Sequence, residues 1–246
     1  MKKIKIYAMI PARFGSTRLK MKNLALIDGK PMISYAINAA IESKVFDKIF
    51  VNSEHDIFKK IAERYGVDFY HRPTDLGSSQ AKSDSVVADF MESHLEADIV
   101  VWVNPIAPFQ TSEEISKVIS YFIHNNLDSL ITVEDKKVHC NYKNTPVNYD
   151  INKLFSQTQD LSSVYPFTYS VMMWRKSVFL SEYSQKGHAL FCGNFETLLV
   201  SEASRVIVKT RDDLMVADLL MRSFNSLKSE YCLEYDSLIV DKNKLQ

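Results

Sequence analysis

Short apolar runs alternate with segments whose apolar residues recur every three or four positions, the pattern of strands set between helices. Residues 4–10 (Ile-Lys-Ile-Tyr-Ala-Met-Ile) predict a first strand, 48–52 a second and 67–71 a short third. Ile99-Val-Val-Trp-Val103 is apolar throughout and predicts a strand buried on both faces; 130–133 predicts the next. Between them, 32–44 sets Ile33, Ala36, Ile37, Ala40 and Ile41 on one helical face, with Pro31 just before it. Further helices are predicted over 55–65, stopped by Gly66, over 83–95, and over 112–125, where Thr111-Ser-Glu-Glu114 forms a capping box. Strand character returns at 168–174 and 205–208, a last helix covers about 211–228, and the tail 229–246 reads as polar and peripheral. Strands alternating with helices imply βαβ units, an α/β fold with a mostly parallel sheet flanked by helices.

Residues 135–165 break this alternation. They lose periodicity and are rich in Asn, Tyr and Lys, as a functional loop, an arm or a dimer contact would be. No internal repeat or low-complexity linker divides the chain, so residues 1–246 read as a single domain carrying that arm.

Composition narrows the function classes. Lysine plus arginine equals aspartate plus glutamate at 30 each, which gives no global attraction to nucleic acid or an anionic membrane. Any anion binding must come from local basic loops. Cys140, Cys192 and Cys232 have no metal-type spacing and leave an odd thiol, which points to a reducing compartment. No signal-peptide pattern and no membrane-spanning apolar run is present, so the expectation is a cytoplasmic protein. The six histidines show no ligand spacing, and His139-Cys140 reads as a surface pair.

The chemistry concentrates behind the first strand, where Pro11-Ala-Arg-Phe-Gly-Ser-Thr-Arg18 is followed by Lys22-Asn23. Arg13, Arg18 and Lys22 supply cations, Ser16 and Thr17 hydroxyls, and Gly15 a backbone without a Cβ that a ligand can approach closely. Such a loop at the carboxyl end of a strand suits a triphosphate. Walker spacing and the dinucleotide glycine fingerprint are both absent. A solvated basic loop would carry the same residues.

These segments, with Gly29-Lys-Pro-Met32, Val51-Asn-Ser53, His71-Arg72-Pro73 to Leu76, Ala81 to Ser85 and Asn104-Pro105 to Pro108, resemble the acylneuraminate and 3-deoxy-octulosonate cytidylyltransferases. The resemblance covers nearly all of the first two thirds of the chain. It implies a Rossmann-like nucleotidyltransferase fold with a dimerisation arm at 135–165, and hence a homodimer. It implies transfer of CMP from CTP to an acidic sugar of the nonulosonic or ulosonic type, with release of pyrophosphate. By position, Ala12, Arg13, Gly15, Ser16, Lys22, Asn23, Arg72 and Ser83 would bind the nucleotide, with Arg13 and Lys22 stabilising the leaving pyrophosphate. Asn104 and Gln110 would face the acceptor, and Tyr165, Phe167, Tyr169 and Phe195 offer aromatic lining or core and dimer contacts.

The chain also departs from that family. Its relatives bind Mg²⁺ through aspartates before the last helix, where this chain has Ile207-Val-Lys209-Thr210, and Ile106 stands where the octulosonate branch has another acid. Lys209 can neutralise phosphate as a point charge and joins the expected catalytic set, unless it is a surface lysine at a strand end. The stretch is similar to that of cytidylyltransferases acting on methylerythritol phosphate and ribitol phosphate. Asp212 and Asp213 read as first-turn acids favoured by the helix dipole, and Asp84 as a helix cap, with a ribose contact as the alternative. Gln110 and Tyr165-Pro-Phe-Thr-Tyr169 occupy stretches where an acceptor-binding arginine is usual. Three alternatives therefore stand beside an acidic-sugar enzyme: a phosphate or phosphonate acceptor, a sugar-1-phosphate enzyme using another base, or a non-catalytic nucleotide-binding relative.

Overall fold

A computed structural model describes residues 3–15 and 18–226. Ser16 and Thr17, Cys232, the end of the last predicted helix and the tail lie outside the described residues. In chain order the elements are β1 (Ile6–Pro11), β2 (Leu26–Ile27), β3 (Lys30–Pro31), α1 (Ile33–Ser43), β4 (Lys48–Ser53), α2 (Ile57–Tyr65), β5 (Asp68–His71), α3 (Ser83–Ser93), β6 (Ile99–Val103), α4 (Ser112–His124), β7 (Ser129–Val133), β8 (Asn141–Tyr142), β9 (Thr145–Pro146), β10 (Phe167–Arg175), α5 (Lys176–Lys186), β11 (Phe195–Leu199) and α6 (Arg211–Ser226).

A seven-stranded sheet runs in the order β11-β7-β10-β6-β1-β4-β5. Only β10 is antiparallel to its neighbours, so the sheet is mostly parallel, as the alternation of runs predicts. β1 lies between β4 and β6 and is buried on both faces, which is why it carries no polar alternation. Its side chains still sort by period two. Ile6, Ala8 and Ile10 pack with residues of α1, α2 and α4, including Ile37, Phe58 and Phe122. Tyr7 and Met9 pack on the other face with residues of α3 and α5, among them Phe90 and Phe179. Burial of each such side chain contributes roughly 1.5–3 kcal/mol. A smaller cluster of Ile27, Met32, Phe109, Val208, Ala217 and Met221 fastens α6 beneath the β2–β3 hairpin.

Local signals act where the sequence places them. Gly66 caps α2 at φ 69°, and Thr111 Oγ1 accepts the Glu114 N–H to open α4. Glu114 does not complete the capping box. Its carboxylate instead takes the Gln110 amide and the Ser201 N–H, holding the turn after β11.

Three expectations are corrected. Residues 205–208 form no strand: Arg205 ends a 3₁₀ turn, and only Val208 reaches across, donating to Ile106 O at 2.8 Å. Neither α5 nor β11 is predicted by the apolar pattern. Asp84 is no helix cap; its carboxylate accepts the Ala189 and Leu190 N–H groups, fastening the loop after α5 to α3.

The 135–165 region is built on a closed stem. Lys136 and Val164 exchange backbone hydrogen bonds at 3.0 and 2.9 Å. Beyond it, β8 and β9 form a hairpin whose turn residues Lys143 and Asn144 both take positive φ, as a two-residue primed turn demands.

Candidate active site

The register of the central strands sets the site. Pro11 lies beside Asn52, and Met9 beside Trp102, so the loops after β1, β4 and β6 leave the sheet at one carboxyl edge. Ligands bind at that edge in open α/β sheets. A cavity of about 330 Å³ opens there.

Six of the sequence-predicted residues line it: Arg13, Lys22, Asn23, Arg72, Ser83 and Asn104. Arg13 comes from the loop after β1, Lys22 and Asn23 from the next turn, Arg72 from the end of β5, Ser83 from the start of α3, and Asn104 from the end of β6. Arg13 spans the mouth, with Nη1 at 3.4 Å from Ser78 O. Ala12 is buried underneath, its N–H on Asn52 O and its carbonyl accepting from Arg72. Gly15 sits at the exposed tip, where an added Cβ would meet nothing within 4 Å. Ser16 lies outside the described residues.

The remaining expected residues are placed elsewhere. Gln110 is buried on Glu114 and does not line the cavity. Tyr165 lies exposed near the arm stem, also outside the lining. Tyr169 takes a φ of 57° at an irregularity between Phe167 and Met172 and stacks edge-on against Phe167. Its neighbour Ser170 reaches the site through the backbone, accepting the Asn104 N–H at 2.9 Å. Glu54 and Trp102 join the site without a sequence motif to announce them. Glu54 pairs with Arg72 at 2.7 Å, and Trp102 forms part of the cavity wall.

The electrostatics are one-sided. Lys22 reaches from the basic loop to the segment before α6, donating to Val208 O at 3.3 Å. Burial pushes its ammonium down to about 8, and the positive charges of Arg18, Arg13 and Lys209 push the same way, against Asp213 alone. Among the described residues none of these four cations has a carboxylate partner within ion-pair distance. Asp213 is already engaged. Its carboxylate accepts the Lys209 and Thr210 N–H groups at 2.9 and 2.8 Å, while its own N–H donates to Thr210 Oγ1. Burial alone would raise its pKa, but those backbone bonds hold it below the ordinary carboxylate value. Asp213 is thus a helix-start acid, as its sequence position suggests.

Arg72 differs from the four. It is buried, and Glu54 balances its charge. Three cavity residues also carry a buried polar atom with no partner: Asn23 Oδ1, Arg72 Nε and Trp102 Nε1. Such atoms are costly in a closed interior and uncommon in folded proteins.

Among the described residues no three His, Cys, Asp or Glu side chains stand close enough to hold a metal ion. Lys209 and Ile106 offer no carboxylate there, and the Asp213 carboxylate is bonded to backbone N–H groups.

Comparison with known proteins agrees with this geometry. A family model described as Cytidylyltransferase matches residues 7–191, well over half of the chain. Over 220 residues the chain is 27% identical to an N-acylneuraminate cytidylyltransferase of Streptococcus agalactiae serotype V, covering 86% of this chain and 52% of that one. A second N-acylneuraminate cytidylyltransferase, from Escherichia coli O18:K1:H7, is 33% identical over 118 residues, covering 48% of this chain and 28% of the relative. The chain therefore spans about half the length of the first and less of the second. Among solved structures, a CMP-2-keto-3-deoxy-manno-octonic acid synthetase complexed with CTP superposes with a TM-score of 0.70 at 16% identity, covering 89% of this chain and 99% of that one. A 4-diphosphocytidyl-2C-methyl-D-erythritol synthase from Anaerococcus prevotii superposes with a TM-score of 0.64 at 13% identity, over 89% of this chain and 99% of the other. The superpositions show a shared fold. With the match over residues 7–191, and with the basic loop, Arg72 and Ser83 gathered on one cavity, the chain belongs to the cytidylyltransferase family.

Proposed function

We propose that this chain transfers CMP from CTP to an acidic sugar of the ulosonic or nonulosonic type and releases pyrophosphate. The observation that carries the reading is the grouping of Arg13, Arg18 and Lys209 near the buried Lys22 ammonium, with Arg13 and Lys22 on the cavity wall; burial first, then those charges, depress its proton affinity. A triphosphate relieves that repulsion. Relatives named for acylneuraminate transfer support the acidic-sugar class.

The reaction places little covalent work on the protein. An acceptor hydroxyl oxygen attacks the α-phosphorus in line, the bond to the bridging oxygen breaks, pyrophosphate leaves with the electron pair, and the hydroxyl proton passes to solvent. Arg13 and Lys22 neutralise charge growing on the leaving group. Lys209 adds positive charge beside Lys22, so side-chain cations contribute to charge compensation. Ser83 and Arg72 sit on the α3 side of the cavity, where the nucleoside would lie. Its polar groups would complete the unpartnered atoms of Arg72, Asn23 and Trp102. Asn104, held by Ser170 O, faces the acceptor. Gln110 and Tyr165 are not carried into this assignment.

Lys209 also favours a second reading, in which the acceptor is a phosphate or phosphonate. Homodimerisation through the 135–165 arm belongs to the proposal, supported by the exposed apolar residues there. Among the described residues no helix is long and apolar enough to cross a membrane.

Pyrophosphate release from CTP, measured with and without Mg²⁺ across acidic sugars and phosphorylated or phosphonate acceptors, tests the reading. Release with an acidic sugar is expected. Release only with a phosphate or phosphonate favours the second reading, and absence of CTP binding overturns both.

A further inference from the structure

One carboxylate ties Arg72 to the backbone beside Arg13. Glu54, the residue after β4, lies between the loop that follows β1 and the loop that follows β5. Its Oε1 accepts the Phe14 N–H at 2.8 Å, and its Oε2 accepts from Arg72 Nη2 at 2.7 Å. The same Nη2 donates to Ala12 O at 3.3 Å, and Nη1 to Asn52 Oδ1 at 3.4 Å. Ala12 N–H is held by Asn52 O at 2.9 Å. The backbone is therefore fixed on both sides of Arg13, at Ala12 through Arg72 and at Phe14 through Glu54. The Phe14 ring adds a stack on His55, centroids 4.0 Å apart.

Gly77 stands behind Glu54. A Cβ at that position would fall 2.3 Å from Glu54 Cδ and 2.4 Å from its Cγ. Its φ is not in the left-handed region, so space alone calls for glycine there. All the obstructed atoms belong to the Glu54 side chain, so an added methyl has to displace it.

We infer that Glu54 is a positioning residue for the nucleotide: it locks Arg13 towards the triphosphate and Arg72 towards the nucleoside, with Gly77 as its required gap. The chemistry agrees. A free carboxylate beside an anion site would repel the ligand, whereas this one is consumed by a guanidinium and a backbone donor. Arg72 is thereby left as a neutralised, directional donor, and net positive charge stays with the loop cations. The inference rests on the reading of this cavity as a CTP site.

The test compares wild type with Glu54→Ala, Glu54→Gln and Gly77→Ala. Two measurements are made: CTP affinity by calorimetry, and amide hydrogen exchange over 12–15 in ligand-free protein. Both Glu54→Ala and Gly77→Ala should speed exchange at Phe14 and weaken CTP by about tenfold or more, as loss of a charged hydrogen bond does. Glu54→Gln, which keeps an acceptor for Phe14, should recover part of the affinity. In turnover, KM for CTP should rise while KM for the acceptor holds. Should Glu54→Ala fail to fold, Gly77→Ala carries the test by itself. Unchanged Phe14 exchange, or CTP affinity within twofold of wild type in a folded variant, overturns the inference. Wild-type protein that binds no CTP overturns the functional reading instead, and exchange at Phe14 then still decides whether the lock exists.

Discussion

Lys22 Nζ donates to the carbonyl oxygen of Val208 at 3.3 Å, so the basic loop behind the first strand is fastened to the segment that opens the last helix. The contact brings Lys22 to Lys209, 187 positions later in the chain, and explains why burial and three cations together push the Lys22 ammonium down to about 8.

That value sets a pH dependence. In free protein Lys22 loses its proton as pH rises through about 8, whereas a bound triphosphate favours the charged form and raises its pKa. CTP binding therefore takes up a proton near and above pH 8, and affinity falls as pH rises through that range. Folding shows the opposite slope. The unfolded lysine keeps its proton up to about 10.4. The unfolded state thus binds more protons between about 8 and that value, and the stability of ligand-free protein gains with pH there. Calorimetry in buffers of different ionisation heat should show little uptake at pH 6.5 and clear uptake at pH 8.5. Lys22→Arg, whose guanidinium stays charged, should lose the uptake. Equal uptake in both proteins would remove Lys22 as its source.

Lys209 lies just before the last helix, and its charge is felt at Lys22. Lys209→Ala should weaken CTP by about tenfold, the scale of one partly screened charge contact. Lys209→Asp should weaken it further in EDTA and recover in part with Mg²⁺, because the new carboxylate gives a metal a protein ligand. Wild type should bind CTP in EDTA. A wild-type affinity that vanishes in EDTA would show that the side-chain cations do not suffice.

The sheet was legible because its strands are apolar runs of strand length, and Ile99-Val-Val-Trp-Val103 is a strand over those same residues. α5 escaped because it buries only Phe179 among mostly polar neighbours and so lacks an apolar stripe. β11 escaped because Phe195-Glu-Thr-Leu-Leu199 is an edge strand with mixed exposure. Ile207-Val208 read as a strand for a sound local reason, but Val208 spends its N–H on Ile106 and its side chain on the α6 cluster, so no ladder forms. In the site, motif residues such as Arg13, Lys22 and Arg72 were legible. Glu54 was not, because a single acid after a strand looks like any surface acid until Arg72, Phe14 and Gly77 close around it.

Cys192 and Cys140 should differ in reactivity. Cys192 is buried against α5 and the sheet, and burial, with the charges of Glu182 and Asp128, pushes its thiol up to about 11. Cys140 is half-buried in the arm. In native protein at pH 8, iodoacetamide followed by peptide mapping should label Cys140 and leave Cys192 unmodified. In denaturant both should react. Fast native labelling of Cys192 would show that the 187–194 loop opens readily.

The arm makes the assembly testable. Leu154, Phe155 and Ile151 are 92%, 77% and 72% exposed, side by side on one lobe, and the Phe155 ring stacks on His139 at 4.2 Å. Exposed apolar residues grouped in this way are the surface on which the proposed dimer contact is tested. The lobe hangs from the Lys136–Val164 stem by backbone bonds, so substitutions at its tip leave the stem and sheet intact. Wild type should sediment as a dimer at micromolar concentration. Ile151→Asp combined with Leu154→Asp should sediment as a monomer, with a melting curve that no longer depends on protein concentration, because association stabilises by mass action. A double variant that stays dimeric would move the interface off the lobe, and a wild type that is monomeric would remove dimerisation from the proposal.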